Sequence, residues 1–163
     1  PAVDNVLKGS SAVVTLLPGD SNAAFLRQFS YLGSNTAADV QEVASYIAAR
    51  AKESDRVFVW LHPPTVYAVA QRWSASKHAY LPPLVYGPEA LQTKARAEVM
   101  SDLRRQRPPY IVLPATLGWY WRFGSAMSPI DPFPELLDFV ARNYVREAEI
   151  GGSVVYRLRE SAS

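Results

Sequence analysis

Cysteine is absent from the chain, which removes disulfides, thiolate metal sites and cysteine nucleophiles together. The redox compartment stays open, because an oxidising space does not require disulfides. Histidine is scarce: His62 and His78 are the two in the chain, with no carboxylate or cysteine in ligand spacing around them, so no metal site is expected. Glycine-rich phosphate loops are missing as well. After the run "RVFVWL" come Pro63 and Pro64, whose backbone cannot offer the row of free N–H groups that a Walker loop or a dinucleotide fingerprint presents. Nucleotide binding of that kind is disfavoured, and no cofactor is expected. The G-x-S-x-G elbow of α/β-hydrolases is lacking too.

No stretch reaches the roughly 18 consecutive apolar residues of a membrane helix, and the N-terminus lacks the charged and apolar regions of a signal peptide. A soluble chain is expected. Pro1 in place of Met fits either methionine removal or a piece of a longer protein. An excess of one charge is also lacking: 17 Lys and Arg stand against 15 Asp and Glu. The densest basic run, "DLRRQR", closes a predicted helix, where cations complement the helix dipole. Without a basic stripe, a nucleic-acid partner is not expected.

What is present reads as one domain, since 163 residues suffice for one good core and are few for two. Residues 1–35 form a lead-in with one short strand, "SAVVTLLPG", then 36–160 form a single α/β domain, and 161–163 a tail. Thr36 and Asp39 have capping-box spacing, and Val40, Val43, Ala44, Ile47 and Ala51 keep one apolar face through about residue 52. "RVFVWL" reads as a buried strand. "TVYAVAQRW" sets Val66, Val69, Ala70 and Trp73 at helical spacing, and a weak strand follows at 78–81.

Pro88 opens a long helix to about Gln106, with Leu91, Ala95, Val99, Met100 and Leu103 on its apolar side. "RPPYIVLPA" is the next strand. "FPELLDFVARNY" places Leu136, Leu137, Val140 and Tyr144 on one helical face, and "REAEIGGSVVYRLR" reads as a hairpin around Gly151 and Gly152. Alternation of helix and strand predicts a three-layer, Rossmann-like, mainly parallel sheet of four or five strands, covered by helices on both faces and closed by an antiparallel edge hairpin. Residues 114–134 fit no element, and so long a connection in a compact domain is commonly functional.

Two places have the residue types for ligand binding. His62 lies just past a predicted central strand, where open α/β sheets hold their ligands, although a residue closing a strand before a proline turn is the commoner explanation. The loop "GWYWRF", with Trp119, Tyr120, Trp121 and Arg122, combines aromatic faces with a guanidinium, which suits a sugar ring, a lipid headgroup or a protein surface as readily as rings plugging the end of the sheet. Arg72 and Lys77, in the basic, hydroxyl-rich turn "SASKHAY" and just before it, join the set as candidates for an anionic or sugar ligand. No catalytic residue is assigned.

The segments "VASYIAARAKESDRVFVW", "PPTVYAVAQRWSASKHAYLPPL", "VMSDLRRQRPPYIVL" and "FPELLDFVARNYVREAEIGGSVVYRL" span about 35–158. In that order they resemble the C-terminal soluble portion of bacterial polytopic C-type glycosyltransferases, membrane enzymes related to the dolichyl-phosphate-mannose protein mannosyltransferases. The resemblance implies an extracytoplasmic domain beside a membrane-embedded part of the same protein. It implies a polyprenyl-phosphate-linked sugar donor, a glycan or protein acceptor, and catalytic groups that lie outside this chain. The family pattern has an arginine where this sequence has Lys77, and "LHPP" departs from it. The competing expectation is a free-standing small-molecule-binding protein or enzyme with a site near His62 and residues 119–123.

Overall fold

The computed structural model describes residues 36–60, 64–79, 88–115, 120–123, 126–129 and 133–160. The expected strand in "SAVVTLLPG" and the tail 161–163 lie outside them. The first helix, α1 (Ala37–Ala48), starts where the capping box predicts. Asp39 N–H donates to Thr36 Oγ1 at 3.2 Å while Thr36 N–H donates to Asp39 Oδ2 at 2.7 Å, so two of the orphan donors of the first turn are satisfied by each other's residue.

Strand β1 (Arg56–Val59) follows, then α2 (Thr65–Ala70), β2 (Trp73–Ser74), α3 (Glu89–Gln106) and β3 (Tyr110–Pro114). The hairpin strands β4 (Tyr120–Phe123) and β5 (Ala126–Pro129) come next, then α4 (Pro134–Asn143), β6 (Tyr144–Ile150) and β7 (Ser153–Leu158). Pro64 and Pro88 stand at the N-caps of α2 and α3, and Pro134 opens α4, none of the three with a side-chain cap. Proline fixes the φ of a first turn and has no N–H to leave unsatisfied there.

Five strands form one mixed sheet in the order β2-β1-β3-β7-β6. β1 pairs in parallel with β2 and with β3, whereas β3–β7 and β7–β6 are antiparallel, so the closing hairpin lies at an edge as expected. Alternate residues of β1 and β3 enter different buried clusters, which is the two-residue period of a strand acting on a sheet covered by helices. Val57, Val59, Tyr110 and Val112 pack with Val43 and Ile47 of α1 and Val66 and Ala70 of α2. Phe58, Trp60, Ile111 and Leu113 pack with Val99, Met100 and Leu103 of α3 and Leu136 and Val140 of α4. Each Val, Leu, Ile, Phe or Met among them, taken fully from water, contributes about 1.5–3 kcal/mol before conformational entropy is subtracted.

Several expectations are corrected. Trp73 does not belong to α2: that helix ends at Ala70, Gln71 turns left-handed (φ 52°), and Trp73 becomes an edge-strand residue. Of the weak strand expected at 78–81, His78 and Ala79 have no regular structure and the rest lies outside the described residues, while a two-residue strand, β2, precedes them. Leu91 is 59% exposed although it falls on the predicted apolar side of α3. Tyr144 opens β6 instead of closing α4. The stretch 114–134, read as lacking any element, contains the β4–β5 hairpin, in which Trp121 pairs with Ser128 and Arg122 with Met127.

A bulge in β6 between Arg146 and Ala148 reverses which residues face which layer. Tyr144 belongs to the α3–α4 cluster, but Ala148 and Ile150, an even number of residues later, pack in the α1–α2 cluster. The bulge residue Glu147 accepts the Tyr46 hydroxyl of α1 at 2.9 Å and also pairs with Arg157 of β7. Burial, and secondarily Glu147, pushes the Tyr46 and Tyr110 hydroxyls above their ordinary range. This cluster fastens α1 to the far edge of the sheet.

Candidate functional site

β2 is short, and its brevity shapes the edge beside it. It pairs Trp73 with Arg56 and Ser74 with Val57, and Ala75 N–H still reaches Val57 O at 2.8 Å. The next outward N–H of β1, that of Val59, has no strand to meet and donates to the Tyr67 hydroxyl of α2 at 3.0 Å. A side chain thus finishes the ladder that β2 abandons, as a buried backbone donor requires. Burial raises the pKa of that hydroxyl, which keeps it neutral.

Where β2 ends, a groove opens on each face of the sheet edge. One has a volume of about 580 Å³ and is walled by Tyr67 and Ala68 from α2 together with Gln71 and Arg72 just past its end. The other, about 500 Å³, is walled by Asp102, Arg105 and Gln106 of α3 with Arg56, Ser76 and Lys77. Trp73, Ser74 and Ala79 line both, so the indole stands between the two. Trp73 is 76% exposed, an unusual condition for the side chain with the largest apolar area.

The loop after β2 is pinned to α3 by two carboxylates four residues apart and hence on one helix face. Ser76 Oγ donates to Asp102 Oδ2 at 2.9 Å, and His78 Nε2 lies 2.7 Å from Glu98 Oε2. Lys77 Nζ is 3.2 Å from the same Glu98 oxygen. The hydrogen bond from His78, followed by that from Lys77, holds the Glu98 carboxyl below the usual glutamate range. A depressed folded-state pKa contributes stability that is complete above the ordinary value, about 4.3, and is lost as pH falls through the folded value. Glu98→Gln therefore gives a shallower acid limb than the parent below about pH 4.3 when urea midpoints are followed against pH. Superimposable profiles would show that this pair carries no pH-dependent stability.

The residues expected to bind ligand fall in different places. Lys77 lines the α3-side groove and is 65% exposed. Arg72 walls the α2-side groove but is 9% exposed, and its two terminal nitrogens are occupied. Nη1 donates to Ala70 O and Gln71 O at 3.1 and 3.0 Å, and Nη2 to Ala48 O and Ala51 O at 3.1 and 2.6 Å. Tyr120, Trp121 and Arg122 lie on β4, and His62 and Trp119 fall outside the described residues.

Parallel pairing of Trp73 with Arg56 puts Arg72 at the amino end of the β1–β2 pair, while the chain toward residue 62 leaves β1 from its carboxyl end. β3 also points its carboxyl end that way, toward the segment containing Trp119. Two separate regions result, the β2 edge and the carboxyl end of β1 and β3. Trp73, Ser76, Glu98 and Asp102 were not among the expected site residues. The one available signal was the Glu98–Asp102 spacing on a helix already rich in charge.

Among the described residues no group of three His, Cys, Asp or Glu side chains is placed to hold a metal ion, and no helix is long and apolar enough to cross a membrane. Compared with protein families, curated proteins and solved structures, the chain matches none of them.

Proposed function

We propose that this chain is a ligand-holding accessory domain of a membrane glycosyltransferase, built as a three-layer Rossmann-like unit, and that it holds a glycan at the β2 edge without transferring sugar itself. On this reading it stands on the outer side of the membrane beside the membrane-embedded part of the same protein, and the glycan is the acceptor or part of it. The quoted segments that resemble the C-type family support the parentage. The observation that carries the binding role is Trp73, an indole 76% exposed between two grooves. A flat aromatic face offers a sugar ring apolar area, and the indole N–H and the Ser74 and Gln106 side chains offer hydrogen bonds at its rim.

The acidic groups at and behind the α3-side groove, and Arg72 on the other side, favour holding over chemistry. Glu98 is engaged by His78 and Lys77, Asp102 by Ser76 and Arg105, and Arg72 by four carbonyls. A general base needs a lone pair facing substrate, and both carboxylates face a neighbour, while Arg72 is a donor only.

Titration calorimetry of the purified chain with a panel of neutral oligosaccharides tests the reading. Trp73→Ala lowers the affinity of whichever glycan binds by about five- to tenfold, with the urea midpoint within about 0.5 kcal/mol of the parent because the side chain is exposed. Sugar transfer by these residues alone, or glycan binding indifferent to Trp73, would overturn it.

The alternative of a free-standing binding protein or enzyme has one observation in its favour. The chain runs from β1 to β2 on one side and later to β3 on the other, so the carboxyl ends of β1 and β3 form the switch point where open α/β sheets hold ligands. Trp60 lies there, fully buried, with its indole Nε1 unpartnered among the described residues. A small molecule whose binding shifts the Trp60 indole resonance and leaves that of Trp73 unmoved would favour this alternative.

A further inference from the structure

The two grooves beside Trp73 differ in character. The α2-side groove is bordered by Pro64, Tyr67, Ala68 and Ala79, a mainly apolar wall. Among the described residues the α3-side groove carries three cations, Arg56, Lys77 and Arg105, against one carboxylate, Asp102. At neutral pH that is a surplus of two positive charges, and a surplus of one when Glu98, which holds Lys77 from behind, is included. Arg56 donates Nη1 to the Ser74 carbonyl at 3.0 Å, a neutral partner, and Arg105 gives Nη2 to Asp102 at 2.7 Å. A guanidinium has five donors in a fixed fork, so one bond apiece leaves both side chains able to take a further acceptor. Ser74, Ser76 and Gln106 stand among the cations as polar partners.

We infer that the α3-side groove binds the anionic group of an acidic saccharide, a carboxylate or phosphate carried on a ring that lies against Trp73. The inference rests on the glycan reading of Trp73 and adds the charge of the ligand. A neutral glycan gains nothing from three cations gathered at one end of its platform, whereas a uronate or sugar phosphate meets a bidentate fork at Arg56 or Arg105 and a point charge at Lys77. His78 Nε2 and Lys77 Nζ both contact Glu98, so the loop that presents Lys77 is already ordered before ligand arrives, which lowers the entropic cost of binding.

The probes are trigalacturonate, galactotriose and phosphatidylglycerol vesicles, each titrated into the full chain at low and at physiological ionic strength. Trigalacturonate binds about tenfold more tightly than galactotriose, and the difference shrinks with salt. The double variant Arg56→Gln/Arg105→Gln lowers trigalacturonate affinity roughly three- to tenfold and leaves galactotriose unchanged. Lys77→Gln, which alters no contact of β2, lowers it by about two- to threefold. Equal affinity for the two trisaccharides, or indifference to these variants, overturns the acidic-ligand inference while leaving the Trp73 reading intact. Salt-sensitive trigalacturonate binding that Trp73→Ala does not alter overturns the saccharide platform. Binding confined to the vesicles overturns the proposal in favour of a membrane surface.

Discussion

Gly151→Ala is expected to destabilise the chain by about 2–4 kcal/mol, read as a lowered urea midpoint with an unchanged m-value. Gly151 begins the two-residue loop between β6 and β7 with φ +57°, a left-handed conformation that costs a residue with a Cβ roughly 1 kcal/mol or more. Space is the second cost. A Cβ there would come within 2.5 Å of Asp39 Oδ1 and 2.7 Å of its Cγ, closer than atoms approach without displacement. Asp39 has little freedom to withdraw, because its other oxygen accepts from Thr36 N–H and from Thr36 Oγ1 at 2.7 and 2.8 Å. Relief of the clash therefore breaks the cap of α1, itself worth about 1 kcal/mol. A double-mutant cycle separates the contributions: Asp39→Ala removes the two nearest atoms and leaves only its Cβ, at 2.9 Å, so Gly151→Ala costs less in that background than in the parent. Additive costs would show that the backbone conformation acts alone.

That contact joins two features that the sequence announces separately. Thr36 with Asp39 is legible as a helix start, and Gly151 with Gly152 as a hairpin, because each depends on residues within a few positions of one another. Pro64, Pro88 and Pro134 mark helix starts by the same local logic, and "RVFVWL" and "YIVLP" are strands because continuous apolar runs suit a sheet buried on both faces. The order of strands, with β7 rather than β6 beside β3, depends on pairings between distant segments that no local pattern encodes.

One misread place, the end of α2, reflects backbone behaviour without its usual residue. Gln71, Arg107 and Phe133 all adopt positive φ at helix boundaries where glycine or asparagine is the ordinary signal. The end of α3 was still legible because Pro108 and Pro109 follow Arg107. Nothing comparable follows Gln71, so helical spacing extends through Trp73, a residue that the structure leaves 76% exposed on an edge strand. The β4–β5 hairpin had a signal, a glycine between two extended runs, that the surrounding prolines and aromatics obscured. The loop pinned to α3 had none, for Ser76 meets Asp102 and His78 meets Glu98 across 26 and 20 positions.

Arg72→Met is expected to cost about 2–4 kcal/mol, and the reason lies in two helices other than its own segment. Neither α1 nor α2 has a basic residue in its last turn, so neither supplies a cation to its own carboxyl end. Arg72 supplies one to both: Nη1 takes Ala70 O and Gln71 O at the end of α2, and Nη2 takes Ala48 O and Ala51 O at and just past the end of α1. A guanidinium 9% exposed is stabilised there by four acceptors and by the negative ends of two helix dipoles. Met preserves much of the length and apolar stem but leaves the carbonyls without a donor, and unmet buried acceptors each cost about 1–3 kcal/mol where water cannot enter. Lys retains the charge without the fork, so Arg72→Lys is placed between parent and Met, at about 1–2 kcal/mol. Urea unfolding measures both, and amide exchange of Ala49 and Arg50 locates the loss at the end of α1. A variant that unfolds like the parent yet loses ligand affinity would instead give Arg72 the ligand-contacting role that its basic neighbourhood suggests.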